Sequence, residues 1–86
     1  MEIQLSEHVK TEMLRRHLPE EWVKQVACRP EQTLPARNGL ECRQSKIFDP
    51  SSGKDYLLRV IVNPHESPNV VVTAYKTSKL SKYWSE

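Results

Sequence analysis

The chain has 86 residues, a formal net charge of +2, and 37% hydrophobic residues. This length accommodates one domain, spanning residues 1–86. No apolar run approaches the roughly 18 residues of a membrane-spanning helix, and the N-terminus carries no features of a secretion signal. Cys28 and Cys42 stand in no motif, which favours reduced thiols over a disulfide framework. These observations predict a cytoplasmic protein without a membrane partner.

The positive charge is concentrated near the C-terminus. In residues 76–86, three lysines stand against Glu86, so this segment carries a charge of +2, equal to that of the whole chain. A basic surface beside a polar sheet face attracts phosphate groups. A solvated tail without a ligand is the alternative interpretation of the same residues.

The N-terminal segment predicts a short strand and a helix. Residues 2–5 alternate in polarity, and Ser6 is a suitable N-cap for a helix over residues 7–17. Glu12 and Arg16 are spaced to pair on its exposed side. The spacing of the apolar residues predicts a buried side formed by Val9, Met13 and Leu14.

A second helix and the first antiparallel strands are predicted next. Pro19 suits the start of the helix, which must end before Pro30. Its apolar stripe consists of Trp22, Val23, Val26 and Ala27. Residues 33–37 form a possible edge strand, and Asn38-Gly39 is a strong hairpin signal before a strand over residues 40–48.

Residues 55–76 predict the β-meander around which the rest of the fold is organised. Two runs rich in β-branched and aromatic residues flank a turn-forming linker. In the first run, alternation separates Tyr56, Leu58, Val60 and Val62 from Leu57, Arg59 and Ile61. In the second run, it separates Val70, Val72 and Ala74 from Val71, Thr73 and Tyr75. The purely apolar faces are expected to pack on the helices, which leaves the face of Arg59, Thr73 and Tyr75 for function.

The predicted order is β-α-α-β-β-β-β. It defines an α+β fold in which two N-terminal helices pack on one face of a mostly antiparallel sheet of about four or five strands. A short helical turn through Leu80, Tyr83 and Trp84, capped by Thr77 or Ser78, is expected to follow.

Several short motifs carry a resemblance to a known family. They are Ser6-Glu-His8, Arg15-Arg16, Pro19-Glu-Glu-Trp-Val23, Arg29-Pro30, Arg43, Leu58-Arg-Val60 and Val71-Val-Thr-Ala-Tyr75. In these motifs the chain resembles small, largely uncharacterised bacterial domains of the RelE/ParE toxin superfamily. Such relatives often have a basic residue at the position of Glu12 and a glycine at that of His17.

The resemblance implies a toxin-like component of a bacterial toxin–antitoxin system, with two helices on one face of a curved sheet and an open concave face. RelE-like toxins cut ribosome-bound mRNA, whereas ParE-like toxins inhibit DNA gyrase and cut nothing. Fold alone does not choose between these activities. The leading hypothesis is a metal-independent ribonuclease acting on mRNA. The alternatives are a non-catalytic protein-binding module, either gyrase-inhibitor-like or domesticated, and an RNA binder without chemistry.

Cleavage of RNA through the 2′-hydroxyl needs a proton acceptor, cations for the charge on phosphorus, and an acid for the leaving oxygen. The predicted catalytic residues are Arg59, Tyr75 and Arg43, the last if its strand pairs in the matching register. The predicted substrate-binding residues are Thr73, Lys76, Lys79 and Lys82. A salt bridge to Glu41 or snorkelling over the sheet edge is the structural alternative for Arg59.

His8 and Arg16 are possible acid–base or structural residues, because the helix that carries them is predicted on the covered side of the sheet. The histidines and cysteines match no metal-site spacing, and the chain lacks a glycine-rich phosphate loop, so no metal or cofactor is predicted. The expected partners are an antitoxin, which would lay a helix or strand over the open face or edge, and mRNA on the ribosome. The sequence does not indicate the oligomeric state.

Overall fold

The computed structural model describes residues 2–85, which form five strands and three helices. In chain order these are β1 (Ile3–Leu5), α1 (Glu7–Arg15), α2 (Glu20–Cys28), β2 (Gln32–Pro35), β3 (Glu41–Asp49), β4 (Lys54–Asn63), β5 (Asn69–Thr77) and α3 (Leu80–Tyr83). The strands form one sheet in the order β1-β5-β4-β3-β2. Strand β1 runs parallel to β5 and the other neighbours are antiparallel. The chain is therefore an α+β protein with a mixed sheet.

Helix α1 begins at the predicted cap and is tied to the sheet there. The Ser6 hydroxyl oxygen accepts a hydrogen bond from the Val9 backbone N–H at 3.1 Å, and the hydroxyl donates to the Val72 carbonyl at 3.1 Å. Val9 and Met13 are buried, but Leu14 is 80% exposed. The prediction for Leu14 is wrong because each helical residue turns about 100° from the one before, which carries Leu14 away from the core.

Glu12 and Arg16 pair as predicted, with 2.8 Å between Arg16 Nε and Glu12 Oε2. Their predicted position on an exposed side is wrong for the carboxylate, since Glu12 is buried. Arg15 Nη2 also lies 2.6 Å from Glu12 Oε2. The hydrogen bond from Arg15 lowers the pKa of Glu12 below its ordinary value, and the positive charges of Arg15 and Arg16 act in the same direction. Burial alone would raise this pKa, but its effect is smaller than theirs combined. The two guanidinium groups therefore keep a buried carboxylate ionised.

Both N-terminal helices contribute to the same hydrophobic core as strands β4 and β5. Trp22 and Ile47 pack at the edge of this core. The buried cluster consists of Val9, Met13, Leu18, Val23, Val26, Ala27, Leu58, Val60, Val62, Val71 and Ala74. The predicted apolar stripe of α2 therefore faces the core. Strand β4 contributes Leu58, Val60 and Val62, which alternation had placed together on one face.

Strand β5 departs from the predicted alternation at a β-bulge. Ile61 pairs with Thr73 while Val62 pairs with Val71, so Val72 is an extra residue in β5. This brings Val71 into the core with Ala74, and the prediction that Val71 shares the face of Tyr75 is wrong. Alternation could not foresee the change because a single inserted residue reverses the faces of everything on one side of it.

The strand register places Arg43 on the helix side of the sheet, opposite Arg59. Arg43 pairs with Val60, a core residue. Its Nη1 donates to the Ala27 carbonyl in the last turn of α2 at 2.7 Å, and its Nη2 donates to Asn69 Oδ1 at 2.9 Å. Nη2 also lies 3.0 Å from Glu41 Oε2. The expectation that Arg43 joins the face of Arg59 is therefore wrong, and Arg43 instead ties the end of α2 to the sheet.

Replacing Arg43 is expected to destabilise the fold. Arg43→Ala leaves the Ala27 carbonyl and the Asn69 side chain without their buried donor, which costs about 2–4 kcal/mol in the free energy of unfolding. Urea denaturation measures this loss. Arg37→Ala, which removes an exposed arginine from the β2–β3 connection, is the matched control and should change stability by less than about 0.5 kcal/mol. Equal effects for the two variants contradict this role for Arg43.

Candidate functional site

Arg59 and Tyr75 converge on the face of the sheet that points away from α1 and α2. Arg59 lies in the central strand β4, directly between Gln44 of β3 and Tyr75 of β5. Its Nε donates to Gln44 Oε1 at 3.0 Å, and its Nη1 donates to the Tyr75 hydroxyl oxygen at 2.6 Å. The predicted meeting of a guanidinium and a phenol from separate strands is present, and the expected alternative of a salt bridge to Glu41 is not what engages Arg59.

Apolar and neutral groups surround the base of this pair. Leu57 and Cys42 alternate onto the same face and are buried. Burial raises the pKa of the Cys42 thiol above its ordinary value, against the smaller opposite effect of Arg59. Cys42 is therefore a neutral thiol at neutral pH. Arg59 is the charged group in the centre of the face.

Gln44 is a site residue that the sequence analysis missed. Its side chain is fully buried, yet its amide is bonded on both sides. Oε1 accepts from Arg59, while Nε2 donates to Gln32 Oε1 at 2.7 Å and to the Tyr83 carbonyl at 3.1 Å. The sequence held no local signal for this role, because the β3–β4 register decides that Gln44 and not Arg43 lies beside Arg59.

The C-terminal segment, residues 79–85, folds back over this face and is called the strap below. The Tyr83 ring centroid lies 4.4 Å from Arg59 Cζ, and the Trp84 ring centroid lies 4.1 Å from Lys46 Nζ. At the end of the strap, the Ser85 N–H donates to Gln32 Oε1 at 3.1 Å, and Gln32 Nε2 donates to the Ser85 carbonyl. The two aromatic rings of the strap are therefore each stacked on a cationic side chain of the sheet.

Three of the predicted substrate-binding residues lie on or beside this face. Thr73 pairs with Ile61 and shares the face of Arg59. Lys79 and Lys82 are exposed on the strap, and Lys82 Nζ lies 5.2 Å from the Tyr83 ring centroid. The two lysines bring positive charge to the strap that covers Arg59, and Thr73 adds a neutral hydroxyl to the face.

Lys76 lies on the opposite side of the sheet from Arg59. It pairs with Leu58, and its Nζ lies 2.9 Å from Asp49 Oδ2 and 4.5 Å from the Tyr56 ring centroid. Substrate binding by Lys76 stays a prediction, and its side chain does not belong to the face of Arg59. A single step along β5 separates Lys76 from Tyr75, and successive strand residues face opposite sides.

His8 and Arg16 also lie away from the candidate site. His8 is exposed on α1, which contacts the helix side of β5. Arg16 Nη1 donates to the Ala74 carbonyl at 3.3 Å while its Nε engages Glu12. Of the two readings offered for Arg16, its contacts favour the structural one.

Metal clusters and membrane-spanning helices are both absent from the described residues. No group of three or more His, Cys, Asp or Glu side chains within residues 2–85 is arranged to hold a metal ion. No helix in this part of the chain is both long and apolar enough to cross a membrane.

The fold and the site together define a small α+β domain that carries a basic and aromatic sheet face. The family model described as a domain of unknown function, DUF4258, matches residues 5–76. The chain therefore belongs to the DUF4258 family, and the matched region contains Gln44, Arg59 and Tyr75 but not the strap. Comparison with curated proteins finds no match, and comparison with solved structures finds none either.

The pair of Lys76 and Asp49 predicts a change of stability in acid. Hydrogen bonds from the Ser51 hydroxyl, Lys76 and the Ser51 backbone lower the pKa of Asp49 from 3.8 to about 2. Because the folded-state pKa is depressed, the resulting stability is present above about pH 4 and is lost as the pH falls towards about 2.

Urea denaturation across this pH window checks that expectation. Asp49→Asn should flatten the acid limb of the stability curve, whereas Asp55→Asn, a change at an exposed neighbour, should leave the limb in place. An acid limb in Asp49→Asn as steep as in the parent contradicts the assignment.

Proposed function

We propose that this chain is the toxin-like component of a bacterial toxin–antitoxin pair and acts on mRNA as a ribonuclease that needs no metal. The observation that carries the proposal is the hydrogen bond of 2.6 Å between Arg59 Nη1 and the Tyr75 hydroxyl on a basic sheet face. A guanidinium beside a phenol supplies a phosphate-binding cation and a proton-transfer group in one place.

The chemistry requires few protein groups because the nucleophile belongs to the RNA. When the 2′-oxygen bonds to the adjacent phosphorus, the bond from phosphorus to the 5′-oxygen breaks, which leaves a 2′,3′-cyclic phosphate and a free 5′-hydroxyl, and Arg59 stabilises the charge that develops on the phosphate oxygens. The Tyr75 hydroxyl, held in place by Arg59, donates its proton to the leaving 5′-oxygen. The proton of the 2′-hydroxyl passes to water, from which the phenol is reprotonated. Lys79 and Lys82 add positive charge that attracts the RNA backbone. Arg43 and Lys76 have no part in this scheme, because their side chains lie on the helix side.

The arrangement of elements supports a RelE/ParE-like interpretation of the fold. The described chain follows the order β-α-α-β-β-β-β before α3, and both N-terminal helices share one core with β4 and β5. The opposite face carries the Arg59–Tyr75 pair, where a toxin of the RelE kind would act. We propose an antitoxin segment as the partner that covers this face in the inactive complex.

A second candidate is a binding module without catalysis, directed at RNA or at a protein. The observation that favours it is the position of Tyr83 over the Arg59 guanidinium, which leaves less room for a reacting phosphate. In this case Arg59 remains necessary, because it anchors the ligand. The Tyr75 hydroxyl is dispensable, because no proton is transferred.

Growth arrest and mRNA cleavage on translating ribosomes test the proposal. The parent protein should arrest growth on expression, and protein treated with EDTA and then freed of the chelator should cleave mRNA on translating ribosomes as fast as untreated protein. Arg59→Ala should abolish both effects, and Tyr75→Phe should lower the cleavage rate by about a hundredfold or more. Arg29→Ala is the matched control, since this exposed arginine follows α2 on the other side of the sheet.

The outcomes separate the two candidates. Cleavage that depends on both Arg59 and Tyr75 supports the ribonuclease. RNA or protein binding that Arg59→Ala removes and Tyr75→Phe preserves, without cleavage, supports the binding module. Absence of both arrest and cleavage in the parent protein rules the ribonuclease out.

A further inference from the structure

The strap is attached to the sheet by polar and cation–π contacts. Its two aromatic rings, those of Tyr83 and Trp84, stack on Arg59 and Lys46. Gln32 and Gln44 form hydrogen bonds with its backbone. Helix α3 has no buried residue, and no strap residue belongs to the buried hydrophobic cluster. The cluster shared with the helices therefore stays packed when the strap leaves the face, whereas opening exposes Leu57, Cys42 and Gln44, which are buried on the strap's own side of the sheet.

An open groove lies between the strap and the sheet. It has a volume of about 370 Å³ and is lined by Leu80, Ser81 and Trp84 of the strap and by Lys46 and Asp55 of the sheet. A segment that is held largely by individual polar contacts beside such a groove opens at a lower cost than one packed into the main core.

The contacts of the strap reproduce the features by which proteins recognise single-stranded RNA. Such RNA offers flat base faces that stack on side chains and base edges that form hydrogen bonds with amides. Tyr83 and Trp84 are consecutive, and each places a flat ring on a cation of the sheet. The glutamine amides bind peptide groups that present the same kinds of donor and acceptor as base edges.

We propose that the strap is a displaceable lid. Its rings occupy the positions that two consecutive nucleotides of single-stranded RNA take on this face when the lid opens. The proposal rests on the proposed function, and it adds how the same site is controlled. With the lid open, Arg59 and Lys46 receive the bases, and Gln32 and Gln44 bind their edges. The apparent affinity for RNA is lowered by the fraction of molecules in which the lid is closed.

The family match covers residues 5–76, which include Gln32, Gln44, Lys46 and Arg59, and the strap lies outside it.

The double variant Tyr83→Ala/Trp84→Ala tests the lid in the full chain. The probe is a short fluorescein-labelled single-stranded RNA of mixed sequence, and fluorescence anisotropy gives its Kd. Loss of both rings should tighten binding about tenfold, because the closed form no longer competes. Tyr56→Ala is the matched control: its ring lies 4.5 Å from Lys76 Nζ, in the same kind of stack on the helix side, and its loss should leave Kd unchanged.

A spectroscopic measurement follows the lid itself. In a Trp22→Phe background the tryptophan emission comes from Trp84 alone. Adding the unlabelled RNA should shift this emission to longer wavelength, because the ring leaves Lys46 for water. In the open-lid background, Arg59→Ala should remove RNA binding, which shows that the uncovered face is the site.

Each result decides between the lid and the proposed function. Weaker RNA binding by Tyr83→Ala/Trp84→Ala shows that the rings are part of the binding platform and overturns the lid, while the proposed function stands. Equal binding by parent and variant, or RNA binding without a change in Trp84 emission, also overturns only the lid. Failure of both proteins to bind the RNA overturns the lid, while the proposed function stands or falls on growth arrest and on cleavage of ribosome-bound mRNA.

Discussion

The alternation of side chains along β4 is the constraint on which the two sides of this molecule depend. Leu58, Val60 and Val62 enter the core with the helices, and Arg59 necessarily points the other way. Because β4 has a strand on each side, the guanidinium must find its partners across those strands. Gln44 and Tyr75 stand directly opposite and supply them. Arg59 is only partly exposed, and a donor cut off from water without a partner costs about 1–3 kcal/mol, so these polar neighbours favour an arginine in the centre of the sheet.

The two mid-strand arginines show how similar sequence contexts lead to different roles. Arg43 is almost entirely buried, and a carbonyl of α2, an amide and a carboxylate surround its guanidinium. Its bonds close one part of the fold onto another. Arg59 is partly exposed, and its neighbours are neutral polar groups and an aromatic ring that lies outside the core. Only the environment of Arg59 leaves a charge available to a ligand. The candidate site therefore contains fewer cationic residues than the sequence indicated, because Arg43 is not part of it.

Local signals in the sequence predicted most of the framework. Ser6 caps α1, the apolar stripe of α2 is buried, and Asn38 and Gly39 adopt the left-handed φ values of 57° and 77° that their hairpin signal implies. The errors arose where the outcome depends on pairing between distant segments. The bulge at Val72 changes the face of Val71, and the β3–β4 register decides the side of Arg43. The contacts of Gln44 join residues 32, 59 and 83, and no local pattern contains such a network.

The parallel pairing of β1 with β5 has a consequence for synthesis. Residues 3–5 are made before the rest of the sheet, but their partner strand ends at Thr77, and the carbonyls that bind Ser6 belong to Val71 and Val72. Strand β1 and α1 therefore have no docking surface on β5 until the last strand of the sheet has been made. Contacts between such distant segments form late, because a large loop must close first. A complete Arg59–Tyr75 face arises only after β5 has left the ribosome, so the nascent domain carries no finished site before that point.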